Sequence, residues 1–409
     1  MIMLCETMTA SRRAVLGASG ALFAWAFMPR WAQAARVRDA RFVTIILRGA
    51  LDGLTAVPPL GDPDYEVLRQ SIALHAQGTN AALPLDGFFA LHPSMPNFAR
   101  LFRAGQACVV HASATAYRDR SHFDGQDVLE SGYETPGRVD SGWLNRMLIG
   151  LPRGEKVAPG ASEKVIGLAV GANAPLVIRG RAPLLGWAPA VLAQASDDLA
   201  MRLMDLYSQR DPLLAHALGE GIATGKIATG IDVGPRGGPG DPEGMKHLAA
   251  GAAKLLAQPD GPRVAALAFE GWDTHAQEIG RLARLLTGLD GAFAAFEQEL
   301  GPLWKDTAIL VATEFGRTAR VNGTDGTDHG TGTTAFLVGG AVKGGRVIAD
   351  WPGLKEAQLR DGRDLAATTD LRAIAKGIAV DLLDASPALL ARDVFPGSDK
   401  VAPAKDLIA

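Results

Sequence analysis

Asp52, Asp273, His275, Glu314 and His329 are acidic or imidazole side chains carried by four separate loops of a 409-residue chain. Carboxylates and imidazoles converging from separate loops are the donor set of a divalent cation, because lone pairs must arrive from several directions to close its shell. In Trp272-Asp273-Thr274-His275 the i, i+2 spacing points both side chains the same way along an extended backbone, which suits two ligands on one ion. A surface turn explains the same residues when they are taken alone. Glu314 follows the apolar run Ile309–Thr313, where burying a carboxylate is costly unless a cation or Arg317 compensates it. A Glu314–Arg317 ion pair without metal is the alternative. Asp328, beside His329 in Thr327-Asp328-His329-Gly330, reads as a further ligand.

Arg120-Ser121-His122-Phe123-Asp124 is the other cluster able to do chemistry. Ser121 reads as a nucleophile, or as a helix start, since Ser-x-x-Asp to Asp124 resembles a capping box. His122 is divided between metal ligand, proton shuttle and helix-start packing. Arg120 and Arg317 would offset charge on a transferred group.

Positioning these residues requires a scaffold, and the apolar runs supply its rhythm. Strands are expected at Phe42–Leu47, Ala107–Val110, Val165–Val170, Val264–Phe269, Ile309–Thr313 and Ala335–Val338. Helices are expected at Met95–Ala104, Val128–Ser131 with its preceding turn, Leu199–Ser208, Met245–Ala257, Glu278–Leu300 and Leu371–Leu383. Fully apolar strands alternating with helices predict an α/β three-layer sandwich with a mostly parallel sheet, whose ligands gather at the carboxyl ends of its strands. Every polar cluster above falls on that edge. One domain is expected beyond residue 34, with a flexible glycine- and proline-rich insertion near 219–244.

Ser11-Arg12-Arg13, the apolar run Ala14–Met28 and Ala32-Gln33-Ala34 read as a twin-arginine signal cleaved near Ala34. That route implies the twin-arginine export machinery as a partner and a periplasmic mature protein exported already folded; an uncleaved membrane anchor is the alternative. Beyond the signal no apolar run reaches the roughly 18 residues of a stable membrane span. A formal charge of −3 without long charge runs argues against a nucleic-acid surface. Of the two cysteines, Cys5 leaves with the signal and Cys108 reads as a core thiol. His75, His92, His111, His216 and His247 read as packing, turn or surface residues. The pairs Gly339-Gly340 and Gly344-Gly345 lack dinucleotide-binding spacing.

The segments LRGALDGL, LDGFFALHP, VVHASATAYRDRSHFDGQD, SGWLNR, WDTH, ATEFGRT, GTDHGTGTTAFLVGGAVKGG and WPGL occur in this order. With them the chain resembles domain-of-unknown-function family 1501, exported bacterial proteins grouped with the alkaline phosphatase and sulfatase superfamily. The resemblance implies an alkaline phosphatase-like fold with two metal ions near a nucleophile that attacks phosphorus or sulfur. It makes Asp52 the carboxylate of one ion, with Glu314 where the superfamily has an aspartate. Asp273 and His275 resemble the pair of the other ion, His329 its late histidine, and Ser121 the nucleophile. The superfamily's Asp-His dipeptide is Glu314-Phe315 here, so His122 or Asp328 would replace the missing imidazole. No cysteine lies in a sulfatase-type motif. The expectation is an exported hydrolase of phosphate or sulfate esters, small-molecule or polysaccharide, using zinc, or else manganese or calcium. A non-catalytic envelope binding or assembly protein that keeps the fold is the alternative.

Overall fold

A computed structural model describes residues 39–151, 167–188 and 241–409, except 79, 138 and 260, together with parts of 203–219. The twin-arginine segment, the cleavage signal, the start of the expected helix over 199–208 and most of the 219–244 insertion lie outside the described residues.

The central sheet contains β1 (Arg41–Leu47), β4 (Ala107–Ala114), β5 (Gly167–Val170), β6 (Leu184–Trp187), β7 (Val264–Phe269), β8 (Thr307–Thr313), β9 (Thr333–Val338), β10 (Arg346–Ile348) and β11 (Thr369–Asp370). A separate short hairpin is made by β2 (Leu83–Pro84) and β3 (Ala90–Leu91). The strand order is β10-β4-β9-β8-β1-β7-β5-β6, with β11 also paired to β4. Phe42–Leu47 of β1 lie in parallel register with Val264–Phe269, and the whole of β1 with Thr307–Thr313 on its other side. Only β9, among the described strands of this sheet, runs against its neighbours β4 and β8.

Strands β1, β4, β8 and β9 are buried along their whole length, so both faces of the sheet need covering. Val43, Ile45 and Leu47 face α3 (Pro96–Arg103), α6 (Pro242–Leu256) and α7 (Glu278–Leu300). Phe42 and Ile46 point the other way, toward α5 (Trp143–Gly150) and α8 (Leu371–Leu383). The period-2 alternation of β1 thus feeds two hydrophobic layers. Helix α7 meets its layer through Leu282, Leu285, Leu286, Leu289, Phe293 and Phe296, an apolar stripe at helical spacing. The remaining helices used below are α1 (Gly53–Ala56), α2 (Tyr65–Arg69) and α4 (His122–Ser131).

Strand β4 extends to Ala114, past the expected end at Val110, and so takes in His111, whose Nε2 lies 2.9 Å from the Val57 carbonyl. Helix α4 begins at His122, so it takes in the turn expected before Val128, and it ends on Gly132 in the left-handed region. Cys108 is buried in β4, and burial pushes its thiol up to about 12. No described helix is long and apolar enough to cross a membrane.

Topology decides where the polar loops meet. The chain leaves β1, β4, β7 and β8 at one rim and, because β9 is antiparallel, enters β9 from that same rim. Residues after four strands and before a fifth are therefore neighbours.

Candidate metal centre

His122 opens α4, Asp273 and His275 follow β7, and His329 precedes β9. His122, Asp273 and His329 offer ligand atoms that all lie within 4.8 Å of one another. The Nε2 atoms of His122 and His329 are 2.9 Å apart, and Asp273 Oδ2 is 3.5 Å from His122 Nε2. His275 joins on the other side, its Nε2 3.0 Å from both His329 Nε2 and Asp273 Oδ1. Donors bound tetrahedrally at about 2.0–2.1 Å, as on zinc, stand roughly 3.3 Å from each other. The four side chains are between one quarter and one half exposed, so the point they share opens to solvent.

The second nitrogen of each ring fixes its tautomer. His122 Nδ1 lies 2.8 Å from Glu314 Oε1, His329 Nδ1 3.1 Å from the Arg120 carbonyl, and His275 Nδ1 3.2 Å from Asp328 Oδ1. All three partners accept hydrogen bonds, so Nδ1 carries a proton in each ring and Nε2 is the atom turned to the shared point. Neutral rings would aim three Nε2 lone pairs at the Asp273 carboxylate, an arrangement that calls for positive charge, whether a proton or a cation. The field says the same: hydrogen bonds to Asp273 and then Glu314 push His122 up to about 9. Burial works against ionised Asp273, but hydrogen bonds from His122, His329 and Arg317 outweigh it and hold its carboxyl far below the ordinary range.

Backbone choices place these groups. Gly49 has φ +119°, and a Cβ there would stand 2.5 Å from the Asp273 amide nitrogen. Only glycine lets the turn after β1 lie against the turn after β7. Arg120 takes φ +62°, which turns its carbonyl to His329.

The sequence reading made Asp52, Glu314 and Asp328 ligands, and the structure gives each carboxylate other work. Asp52 is buried; its Oδ1 caps α1 by accepting from the Leu54 and Thr55 amides at 3.0 Å, and its Oδ2 is 2.5 Å from Arg69. Glu314 is buried behind His122 and accepts from the Gly49 amide, Gln126 and Thr313 as well. Asp328 holds His275 Nδ1 and accepts from Asn322 at 3.1 Å. All three carboxylates are thus engaged by protein donors, and none of the three joins the close set of His122, Asp273 and His329. His122, divided among three roles by sequence, stands in the cluster with Asp273, His275 and His329.

The arginines are also committed. Arg120 pairs with Asp364 at 2.8 Å and Asp361 at 3.0 Å, and Arg317 with Asp273 and the Thr327 carbonyl. Ser121 precedes α4 without a side-chain capping bond, and its amide donates to the Tyr117 hydroxyl at 3.3 Å.

Sequence reasoning missed Arg69, Glu278 and Arg363. Arg69, fully buried, faces Asp52 and, at 3.4 Å, Glu278. Thr327 Oγ1 is within hydrogen-bond reach of Asp52, Glu278 and Arg317, which links this buried group to Asp273. Arg363 donates to the His329 carbonyl at 2.9 Å. The available signal for Glu278 was its place on the apolar stripe of α7, four residues before Leu282.

An α/β protein with a histidine–aspartate centre at the carboxyl rim of its sheet is the class that fold and site define. A family model described as "Protein of unknown function (DUF1501)" matches residues 39–374, and the chain belongs to that family. No curated protein matches the sequence. Among solved structures, Ps i-CgsB in complex with k-i-k-neocarrahexaose is similar at 10% identity and a TM-score of 0.40, over 75% of this chain and 68% of that one. Alkaline phosphatase from the Antarctic bacterium TAB5 is similar at 13% identity and a TM-score of 0.34, over 73% and 90%. A protein in the alkaline phosphatase superfamily from Vibrio parahaemolyticus is similar at 14% identity and a TM-score of 0.34, over 73% and 60%. These likenesses concern the fold alone.

Proposed function

We propose that the protein is an exported hydrolase of phosphate or sulfate esters that works with a divalent ion held by His122, Asp273 and His329, with His275 beside them. The observation that carries this reading is the convergence of three Nε2 atoms on one carboxylate, each ring oriented from behind by an acceptor. Imidazole-rich sets favour zinc over magnesium or calcium. Such an ion, when bound, polarises an ester oxygen and makes a nucleophile available at neutral pH.

The chain's own groups divide the remaining work. Asp328, Glu314 and the Arg120 carbonyl keep the rings in their binding tautomer. Arg317 braces the Asp273 carboxylate from the buried side. Ser121, adjacent to His122 at the start of a ten-residue helix, is the protein nucleophile in this reading, and water takes that part if Ser121 is dispensable. Export in the folded state through the twin-arginine route, to the periplasm, belongs to the same proposal and rests on Ser11-Arg12-Arg13 and the Ala32–Ala34 signal.

Protein exported by its own signal should contain about one equivalent of metal by elemental analysis and hydrolyse p-nitrophenyl phosphate or sulfate. Asp273→Ala should lose both, and Ser121→Ala should lose at least about 10³-fold in kcat if the serine is the nucleophile. Metal-free, ester-inert wild-type protein, with Asp273→Ala equally stable, would overturn the hydrolase in favour of a non-catalytic envelope binding protein. Changing Arg12 and Arg13 to lysine should keep a reporter fused to the signal in the cytoplasm.

A further inference from the structure

A groove of about 530 Å³ begins where the metal centre ends. Asp328, which lines it, holds His275, and Arg363, which also lines it, donates to the His329 carbonyl. The volume falls within the roughly 300–1,000 Å³ of ordinary ligand sites, yet its chemistry is not that of an apolar pocket. Arg320, Asn322 and Glu356 line it, and neither Arg320 nor Glu356 forms an ion pair among the described residues. Val67, Leu68, Val321, Leu354 and Leu359 also line it, with Val67 left 65% exposed. No aromatic side chain lines the groove.

This lining selects a ligand class. A guanidinium and a carboxylate together satisfy hydroxyls that both donate and accept, and aliphatic side chains suit a ring face made of C–H groups. A lipid tail would leave the charged groups desolvated and unpaired, and a nucleobase would find no ring to stack on. We propose that the groove is the subsite for the alcohol half of the ester, and that this half is a saccharide whose hydroxyls meet Arg320 and Glu356. This rests on the hydrolase reading. The reaction balances as hydrolysis: the bond from phosphorus or sulfur to the sugar oxygen breaks, a water oxygen bonds to phosphorus or sulfur, and a proton passes to the sugar oxygen.

The test compares kcat/KM of the metal-loaded mature protein on a hexose 6-phosphate or 6-sulfate with that on the corresponding p-nitrophenyl ester. In Arg320→Ala and in Glu356→Gln the hexose-to-aryl ratio should fall at least about tenfold, as for lost hydrogen bonds to substrate hydroxyls. Thermal melts of both variants verify that they fold. An unchanged ratio in both variants overturns the proposal. Should no ester be turned over, the hydrolase reading fails and the groove is judged by titration calorimetry with the same hexose esters. Binding that both variants weaken about tenfold supports it, whereas no binding, or binding that inorganic phosphate or sulfate reproduces with equal sensitivity to both variants, overturns it.

Discussion

Glu314 has its oxygens engaged by four donors, the Gly49 amide, His122 Nδ1, Gln126 Nε2 and Thr313 Oγ1. Glutamine in its place keeps the size but puts an amide N–H or a weaker acceptor against His122 Nδ1. The ring then loses its reason to present Nε2 as a lone pair. Glu314→Gln should therefore weaken metal binding by about 10–100-fold, read by competition with a chromogenic chelator. Unaltered affinity would show that His122 is oriented without Glu314. Glu278 supports a second prediction at this scale. A single guanidinium, Arg69, faces two buried carboxylates. Burial works against ionising Asp52, but Arg69 outweighs it and lowers its pKa, while burial and then the charge of Asp52 push Glu278 up to about 7. The folded protein thus keeps a proton that an unfolded glutamate releases near 4.5. Stability from this group is fully present below pH 4.5 and declines as pH rises to about 7. The difference in Tm between wild type and Glu278→Gln should fall across that window, by an amount on the order of 1–3 kcal/mol in stability. A difference that stays level from pH 4 to 8 would remove the proton from Glu278. Residue types pointed to Asp52, Asp273, His275, Glu314 and His329 as one donor set, but they did not separate the side chains that share the cluster with His122 from those that stand behind it. That distinction depends on which buried donors face each oxygen, and Arg69, Gln126 and the Gly49 amide are remote from those carboxylates in sequence.

At the scale of elements, the close approach of the turns after β1 and β7 makes a test of backbone fit. Gly49 and Gly78 have nearly equal dihedrals, φ +119° and +112°, but a Cβ at Gly78 meets nothing within 4 Å. Gly78→Ala should lose about 1–3 kcal/mol through the dihedral alone. Gly49→Ala should lose more, and it should also weaken metal binding because the new Cβ displaces Asp273. Chemical denaturation of the two variants separates strain from collision, and equal losses with unchanged metal affinity would show that the turns do not need to touch. The apolar runs identified the whole of β7 and part of β1, β4, β8 and β9, and the bounds of α7 and α8 coincide with the structure. They underestimated β4, because His111 and Ser113 interrupt its apolar composition while their side chains bond to the Val57 and Thr333 carbonyls. The short strands β6, β10 and β11 have four residues or fewer and too little pattern to be seen. Nor does a run such as Thr333–Val338 carry its own direction. Its antiparallel course, which brings His329 to the rim, arises from pairing with β4 and β8.

For the molecule as a whole, the centre joins chain segments that lie more than 200 residues apart, from His122 to His329. An ion that binds only when these segments are assembled stabilises the folded state by RT ln(1 + [L]/Kd), about 2.7 kcal/mol at a hundredfold excess over Kd. In a domain of this size that corresponds to a Tm higher by roughly 3–8 °C. Chelation should remove this increment from wild-type protein and restore it on adding zinc, while His329→Ala should melt at one temperature with or without chelator. The sequence already implied the arrangement at this scale, since an α/β sheet gathers its loops at one rim, and a modest net charge left no competing polyanion reading. It did not imply the charge state of the rim in the absence of an ion. In the empty centre a proton on His122 offsets the Asp273 carboxylate, so the Tm increment measures binding net of displacing that proton. If zinc binds stoichiometrically to wild type but leaves Tm unmoved, the centre is equally organised in the unfolded chain, and the fold-dependent convergence on which the hydrolase reading rests is wrong.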